Sequence, residues 1–270
     1  MILEKTVELV KQIYKDHEII PPKISKVVIG LGYTGVEITP DDVKPILGLA
    51  STLPSVINNV DCSKIKFAGN LTNKKLIELA EWSYLEPSLE KIIGIAALNA
   101  VSQHILRLKN HYSKLFGDPL EFLEINQDTS ITIIGLMKPL IRKLMKKTRD
   151  ITLVEDTLRV PEDFQEFNFR TTIDELKKDE VSTDILFCTG TSLINNTLGQ
   201  VLLLFRRKSK KIIVMGPSVG ILPDILFNHG VDIVGGMEIT NSEEVLKILQ
   251  EGGGTKLFKK FGKKYNLIKI

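Results

Sequence analysis

The sequence predicts an α/β protein made of two unlike halves: a small N-terminal α+β unit and a C-terminal unit built on a parallel sheet. Residues 27–51 hold closely spaced apolar strands around a glycine-rich turn, the pattern of an antiparallel meander. Residues 131–250 alternate short apolar runs with helical stretches, the rhythm of βαβ units. The length of 270 residues suits about two domains.

The first element is a helix, because Leu3, Val7, Val10, Ile13 and Tyr14 recur at helical spacing. Pro21-Pro22 marks the loop after it. Val27, Val28, Ile29 and Leu31 read as a strand, Val36 and Ile38 as a second, with Gly32-Tyr33-Thr34-Gly35 as the tight turn between them. Ile46 to Ser51 is a third strand. Helices follow over Asn73 to Leu85 and from Leu89 to about Leu108, the latter apolar enough to pack on the sheet. Gly117-Asp118-Pro119 reads as a linker.

In the second half, the predicted strands are Ile131 to Ile134, Ile151 to Val154, Ile185 to Cys188, Ile212 to Met215 and Val231 to Val234. The predicted helices are Pro139 to Lys147, Ser192 to Phe205, Leu222 to His229 and Ser242 to Gln250, with Ser242 as N-cap. Strands this short and apolar fit a sheet covered on both faces. The Gly- and Lys-rich tail, Gly252 to Ile270, reads as a loosely docked arm.

Composition narrows the class. Apolar residues make up 43% and charged residues 26%, which excludes a disordered chain, a collagen and a disulfide scaffold. Net charge is only +3, from 36 Lys+Arg against 33 Asp+Glu. The basic clusters at Arg142 to Arg149, Arg206 to Lys211 and Lys256 to Lys264 lie near predicted helix ends or in the tail, where they favour the helix dipole. Nucleic acid is therefore not the expected partner. Cys62 and Cys188 lie far apart and read as lone thiols of a reducing compartment, with a single disulfide as the alternative. No run of 18 apolar residues predicts a membrane span, and Glu4 and Glu8 make the first helix amphipathic rather than a secretion signal. A cytoplasmic location is the expectation.

Ligands of open α/β sheets bind outside the carboxyl ends of the strands. That rule selects Gly135-Leu136-Met137-Lys138, Glu155-Asp156, Thr189-Gly190-Thr191-Ser192 and Gly216-Pro217-Ser218. Small residues there let a ligand approach the backbone. Asn195 and Asn196 are poor helix formers in the first turns of a predicted helix, so one is a candidate to face the pocket. The only GxGxxG match, Gly30 to Gly35, leads into VEITPDD rather than a helix, so it lacks the helix N-terminus that holds a pyrophosphate and reads as a hairpin. The loop after the first parallel strand, GLMKP, also lacks that fingerprint. His17, His104, His111 and His229 show no metal-binding spacing, and no Ser-His-Asp set or Walker loop is legible. Glu37, Glu155 and Asp156 are the titratable candidates for acid–base work. Catalytic residues and metal ligands are not assigned.

Two stretches carry a resemblance: TGTSLINNT (Thr189 to Thr197) and VMGPSVGILPDILFNHGVDIVGG (Val214 to Gly236). They resemble the putative heavy-metal chelation domain family. YTGVEIT, GLAST and GIAALNAVSQ, with Asn99-Ala100, are similar to its companion amino-terminal domain. The resemblance covers nearly the whole chain. It implies an enolase N-terminal-like domain over residues 1–117, a Rossmann-like domain over 118–270, a site in the cleft between them, and a homodimer. It adds Tyr33, Thr34 and Asn99 to the candidate site. It also implies heavy-metal chelation or small-ligand and cofactor binding, as in an enzyme of cofactor metabolism, with a metal held through a small cofactor or a pterin-like ligand alone fitting equally. Two other readings stand beside it: a nucleotide- or SAM-dependent transferase, and a non-enzymatic interaction protein. The sequence does not decide between enzyme and binding protein.

Overall fold

The computed structural model describes residues 1–41, 44–57, 65–108, 112–155, 167–178 and 182–269. Helix α1 (Ile2–Asp16) buries the apolar stripe that its spacing predicts. Strands β1 (Lys23–Ile29), β2 (Tyr33–Thr39) and β3 (Ile46–Ser51) form the expected antiparallel sheet, in the order β1-β2-β3. Short helices α2 (Pro54–Ile57) and α3 (Leu76–Glu81) lead to α4 (Leu89–Leu108). Every residue of α4 from Lys91 to Leu106 is buried, as expected of a helix that is apolar on all sides.

The remaining elements are β4 (Lys114–Phe116), β5 (Ile131–Ile134), α5 (Lys138–Leu144), β6 (Ile151–Val154), β7 (Asn168–Arg170), α6 (Ile173–Lys178) and β8 (Thr183–Thr189). They continue through α7 (Leu198–Phe205), β9 (Ser209–Met215), α8 (Asp224–Asn228), β10 (Ile233–Ile239), α9 (Ser242–Gln250), α10 (Thr255–Phe258) and β11 (Gly262–Ile268). The eight strands line up as β4-β11-β10-β9-β8-β5-β6-β7. From β10 to β7 all pairs are parallel, while β11 runs antiparallel to both β10 and β4. After β5 the chain builds outward through β6 and β7, then returns to β5's other side with β8. The switch point therefore lies between β5 and β8.

Apolar packing joins the halves. One core cluster runs from Val7 and Val10 of α1 through Ile95 and Leu98 of α4 to Leu186 and Val214 of the large sheet. The opposite face of that sheet packs Ile133, Phe187 and Ile213 on Leu140, Ile141 and Leu144 of α5. Strand β3 alternates, sending Ile46 and Ala50 into the first cluster and Leu47 and Leu49 against Leu246 and Leu249 of α9.

Several elements differ from the sequence reading. The hairpin turn is Gly30-Leu31-Gly32, closed by Gly30 N–H donating to Tyr33 O at 3.1 Å, so Tyr33 and Thr34 belong to β2. Gly30 is required there because a Cβ would stand 2.4 Å from Leu249 O of α9. The predicted helix over Ser192 to Phe205 breaks at Asn196, which takes φ +60°, a conformation asparagine tolerates. The helix over Asn73 to Leu85 is likewise split into α3 and two flanking 3-10 turns. Gly235-Gly236 lies inside β10 rather than at its end. Gly117-Asp118-Pro119 is ordered structure: it follows β4, and Asp118 caps a 3-10 turn at Pro119–Phe122.

The tail is not a loose arm. It forms α10 and β11, whose Tyr265, Asn266 and Leu267 are buried. The N-cap of α9 is Asn241, one residue before Ser242, with its side chain accepting from Glu244 N–H at 3.2 Å. Asn241→Ala is expected to cost about 1 kcal/mol of stability, read as a lower urea midpoint at unchanged slope.

Candidate functional site

A cavity of about 400 Å³ opens where the β1–β3 sheet meets the carboxyl ends of the large sheet. Gly190, Gly216, Gly235 and Gly236 are among its lining residues, and Tyr33 and Ser51 bring in the small sheet. Hydrogen bonds hold the two sides together. Ser51 N–H donates to Ser218 Oγ at 2.9 Å, and Ser218 Oγ donates to Ser51 Oγ at 3.2 Å. Asn99 of α4 donates from Nδ2 to Leu49 O at 2.7 Å and to Pro217 O at 3.5 Å. Gln103, one turn further on, donates to Gly220 O at 3.0 Å and to the Tyr265 hydroxyl. Burial pushes the Tyr265 hydroxyl well above the usual phenol range, so it stays neutral. Thr255 of α10 donates to the Tyr33 hydroxyl at 2.7 Å, and the Tyr33 ring meets Phe258 edge to face.

Charge at this cavity is sparse. Asp118 is paired with Lys143, and Lys264 stands exposed at the rim. Burial alone would raise the Asp118 carboxyl, but Lys143 and the Leu120 N–H outweigh it and hold the group below its ordinary value. The Ser51 and Ser218 hydroxyls bond to each other, and among the described residues no imidazole or carboxylate bonds to either to act as an activating base. Cys188 is fully buried and its thiol is pushed up to about 12, which makes it inert.

A second cavity, about 310 Å³, lies across the loop after β8. Thr189 and Thr191 line both. Of the sequence-nominated residues, Tyr33, Met137, Gly190, Gly216, Pro217 and Ser218 line the first, and Gly135, Glu155, Ser192 and Asn195 the second. Asn99 does not line the first cavity but ties Pro217, which does, to β3. Thr34 is buried in a bond with Thr52 Oγ1 at 3.0 Å and lines neither. Glu37 lines neither: it lies within β2, where it accepts from Ser25 Oγ at 2.8 Å near Lys26. Asp156 falls outside the described residues. Sequence reasoning missed Ser51, Thr255, Lys264, Tyr265 and Asn266. The last four belong to the tail, where the available signal was the short run Tyr265-Asn266-Leu267-Ile268 after the two lysines of β11.

The loop after β5 settles one question of chemistry. Leu136 N–H donates to Glu155 Oε2 at 2.5 Å, Met137 N–H to Gly135 O at 2.8 Å and Lys138 N–H to Leu136 O at 3.1 Å. Pro139 has no N–H. The donors that would cradle a pyrophosphate at the start of α5 are already used.

Among the described residues, the side chains do not fit a protein-held metal ion. Among the described residues, no group of three or more His, Cys, Asp or Glu could hold one. The first cavity does contain three thioethers, Met137, Met215 and Met237, and thioethers suit soft metals. They stand on three different elements: Met137 just before α5, Met215 at the end of β9 and Met237 within β10. A Cβ on Gly262 of β11 would lie 2.6 Å from Met237 Sδ, so that sulfur leans toward β11, whereas Met215 stands on β9, the opposite neighbour of β10.

Among the described residues, no helix is long and apolar enough to cross a membrane. The profile of the DUF364 family, whose description is putative heavy-metal chelation, matches residues 118–268. That of DUF4213, with the same description, matches residues 16–102. An uncharacterized protein of Methanocaldococcus jannaschii is 29% identical over 199 residues, which span 72% of each chain. The crystal structure of a DUF364 protein of unknown function from Pyrococcus horikoshii is similar over all of both chains, with a TM-score of 0.77 and 25% identity. Another from Desulfitobacterium hafniense has a TM-score of 0.72 and 20% identity, over 97% of this chain and all of that one. With more than half its length matched by one family profile, the chain belongs to the putative heavy-metal chelation family, DUF364.

Proposed function

We propose that the first cavity binds a small, flat organic ligand, and that any heavy metal enters it inside such a molecule rather than as a bare ion. One observation carries this reading. Among the described residues the lining is glycine, thioether, ring and hydroxyl, with a single carboxylate that Lys143 already neutralises. A pocket of this kind is mostly apolar with a few oriented polar groups, the usual make-up of a site for a small organic molecule or cofactor. The Met137 and Met215 thioethers of the lining suit a planar ring, since sulfur–aromatic contacts are favourable. The family description then concerns a chelate, with the ligand supplying the donors that the protein lacks.

Native mass spectrometry with elemental analysis tests it. The expected result is an organic compound bound at near-stoichiometric level, released on denaturation and absent from a Met137→Trp variant of similar melting temperature. In equilibrium dialysis against Zn²⁺, Co²⁺ or Cu⁺ salts alone, no tight one-equivalent uptake is expected. Stoichiometric metal without an organic partner, or full retention of the compound by Met137→Trp, overturns the reading.

A further inference from the structure

We infer that Asn266 selects the ligand of the first cavity: its Oδ1 accepts from a free N–H at the inner edge of a planar nitrogen heterocycle. This rests on the reading of that cavity as a site for a flat organic molecule, and adds which edge the molecule must carry.

Asn266 is 1% exposed and lines the cavity. The orientation of its amide is forced. Nδ2 donates to Gly117 O at 3.2 Å and to Leu115 O at 3.4 Å, in and just after β4. Turning the amide over would set Oδ1 against those two carbonyl oxygens. Oδ1 instead faces β10, where a Cβ on Gly235 would stand 3.3 Å from it. It has no hydrogen-bond partner among the described residues. A buried acceptor left unpaired is costly and uncommon in folded proteins.

The neighbouring strands leave a slot in front of it. Gly235 of β10 pairs with Asn266 of β11 on one side and with Met215 of β9 on the other. All three line the cavity. The Cβ that Gly235 lacks would also stand 3.0 Å from Met215 Cβ, so the three positions share one face of the sheet. Glycine inside a strand often marks the close approach of a ligand. Here its missing side chain parts a thioether from an orphaned acceptor. Oδ1 is buried from water, so only a group that enters this slot serves it. Met215 is unbranched, and its rotation widens the slot for the edge of a ring. The entering group must be a donor. A carbonyl or a bare ring nitrogen would meet Oδ1 lone pair to lone pair, and an N-methyl group would leave it unpaired. The slot thus gives direction to a cavity whose thioethers alone would accept any flat ring.

Titration calorimetry on the whole chain tests this with xanthine and caffeine as probes. They share one ring system, and caffeine carries a methyl group in place of every ring N–H of xanthine. Xanthine is expected to saturate the protein, with caffeine at least about tenfold weaker, because a site built around a hydrogen bond rejects the analogue that lacks it. Asn266→Leu keeps the side-chain volume and removes the acceptor, so the two affinities should come within about threefold of each other. If that variant does not fold, Gly235→Ala takes its place, since its methyl covers Oδ1 and should narrow the same ratio. The comparison in the parent needs no variant. Met137→Trp should abolish xanthine binding. A ratio that survives Asn266→Leu means that the bulk of the methyl groups sets it, and overturns the inference, as does retention of xanthine by Met137→Trp. Caffeine binding as tightly as xanthine overturns it too, while leaving the cavity a site for flat rings. Saturation with neither probe also overturns it, and native mass spectrometry of the bound compound then decides the reading of the cavity separately.

Discussion

Gly48→Ala is expected to lower the melting temperature by about 6–12 °C. A Cβ at this position in β3 would stand 2.1 Å from Ala96 O and 2.3 Å from Ala100 N. Both are backbone atoms of α4, so no rotamer change can make room. The helix cannot move away either, since Ile92, Ile95, Ala96, Leu98 and Ala100 are all completely buried around it. Overpacking of this kind costs about 3 kcal/mol or more, and each kcal/mol shifts the midpoint by roughly 2–4 °C in a chain of this size. Gly199→Ala is the control: it lies in α7 with nothing within 4 Å of its Cβ, and it should melt at or slightly above the parent. A Gly48→Ala protein within about 2 °C of the parent would show that α4 and β3 are not in backbone contact. The contact matters to the site, because the same approach brings Asn99 Nδ2 within 2.7 Å of Leu49 O and sets Ser51 against Ser218.

That approach also shows what a sequence carries plainly and what it conceals. Of the parallel series, β5, β6, β8, β9 and β10 were legible because each contains a short apolar run, a purely local pattern, whereas β7, Asn168–Arg170, has no such run and went unread. The loops at their carboxyl ends followed from topology, which is why so many nominated residues line one cavity or the other. Glu37 was legible as a carboxylate but not as a buried one, since its Ser25 partner arrives from the neighbouring strand. The tail misled for a physical reason. β11 places exposed Lys263 and Lys264 just before buried Tyr265, Asn266 and Leu267, so hydrophilic residues mask a strand whose burial depends on β4 and β10 closing over it. Gly235-Gly236 looked like a strand end because glycine weakens strands. It is tolerated because Tyr265 occupies the space instead, with its hydroxyl 2.3 Å from where a Gly236 Cβ would be.

The pH dependence of stability should carry the signature of Lys91. This lysine of α4 is completely buried, and its Nζ donates to Leu85 O at 3.0 Å and to Asn196 Oδ1. It thereby holds the left-handed Asn196, which ends the loop carrying Thr191 and Asn195. Burial drives its pKa down to about 8, with Glu86 opposing only in part. A neutral amine keeps two N–H donors, which matches the two carbonyl acceptors, so deprotonation need not break the contact. In the unfolded chain the group titrates near 10.4. Between these values the unfolded state binds the extra proton, so stability rises as pH rises from about 8 to about 10.5. Below that window the penalty for the buried charge is fully present and constant. Lys91→Met removes the proton and the hydrogen bonds together. The parent's stability relative to this variant should therefore climb across the window by up to roughly 3 kcal/mol, and stay level from pH 6 to 7.5. Urea denaturation of both proteins at half-unit pH steps reads the difference directly, since the shared titrations cancel. A difference that stays flat to pH 10.5 would mean that Lys91 reaches water in the folded protein and that Asn196 is held by something else.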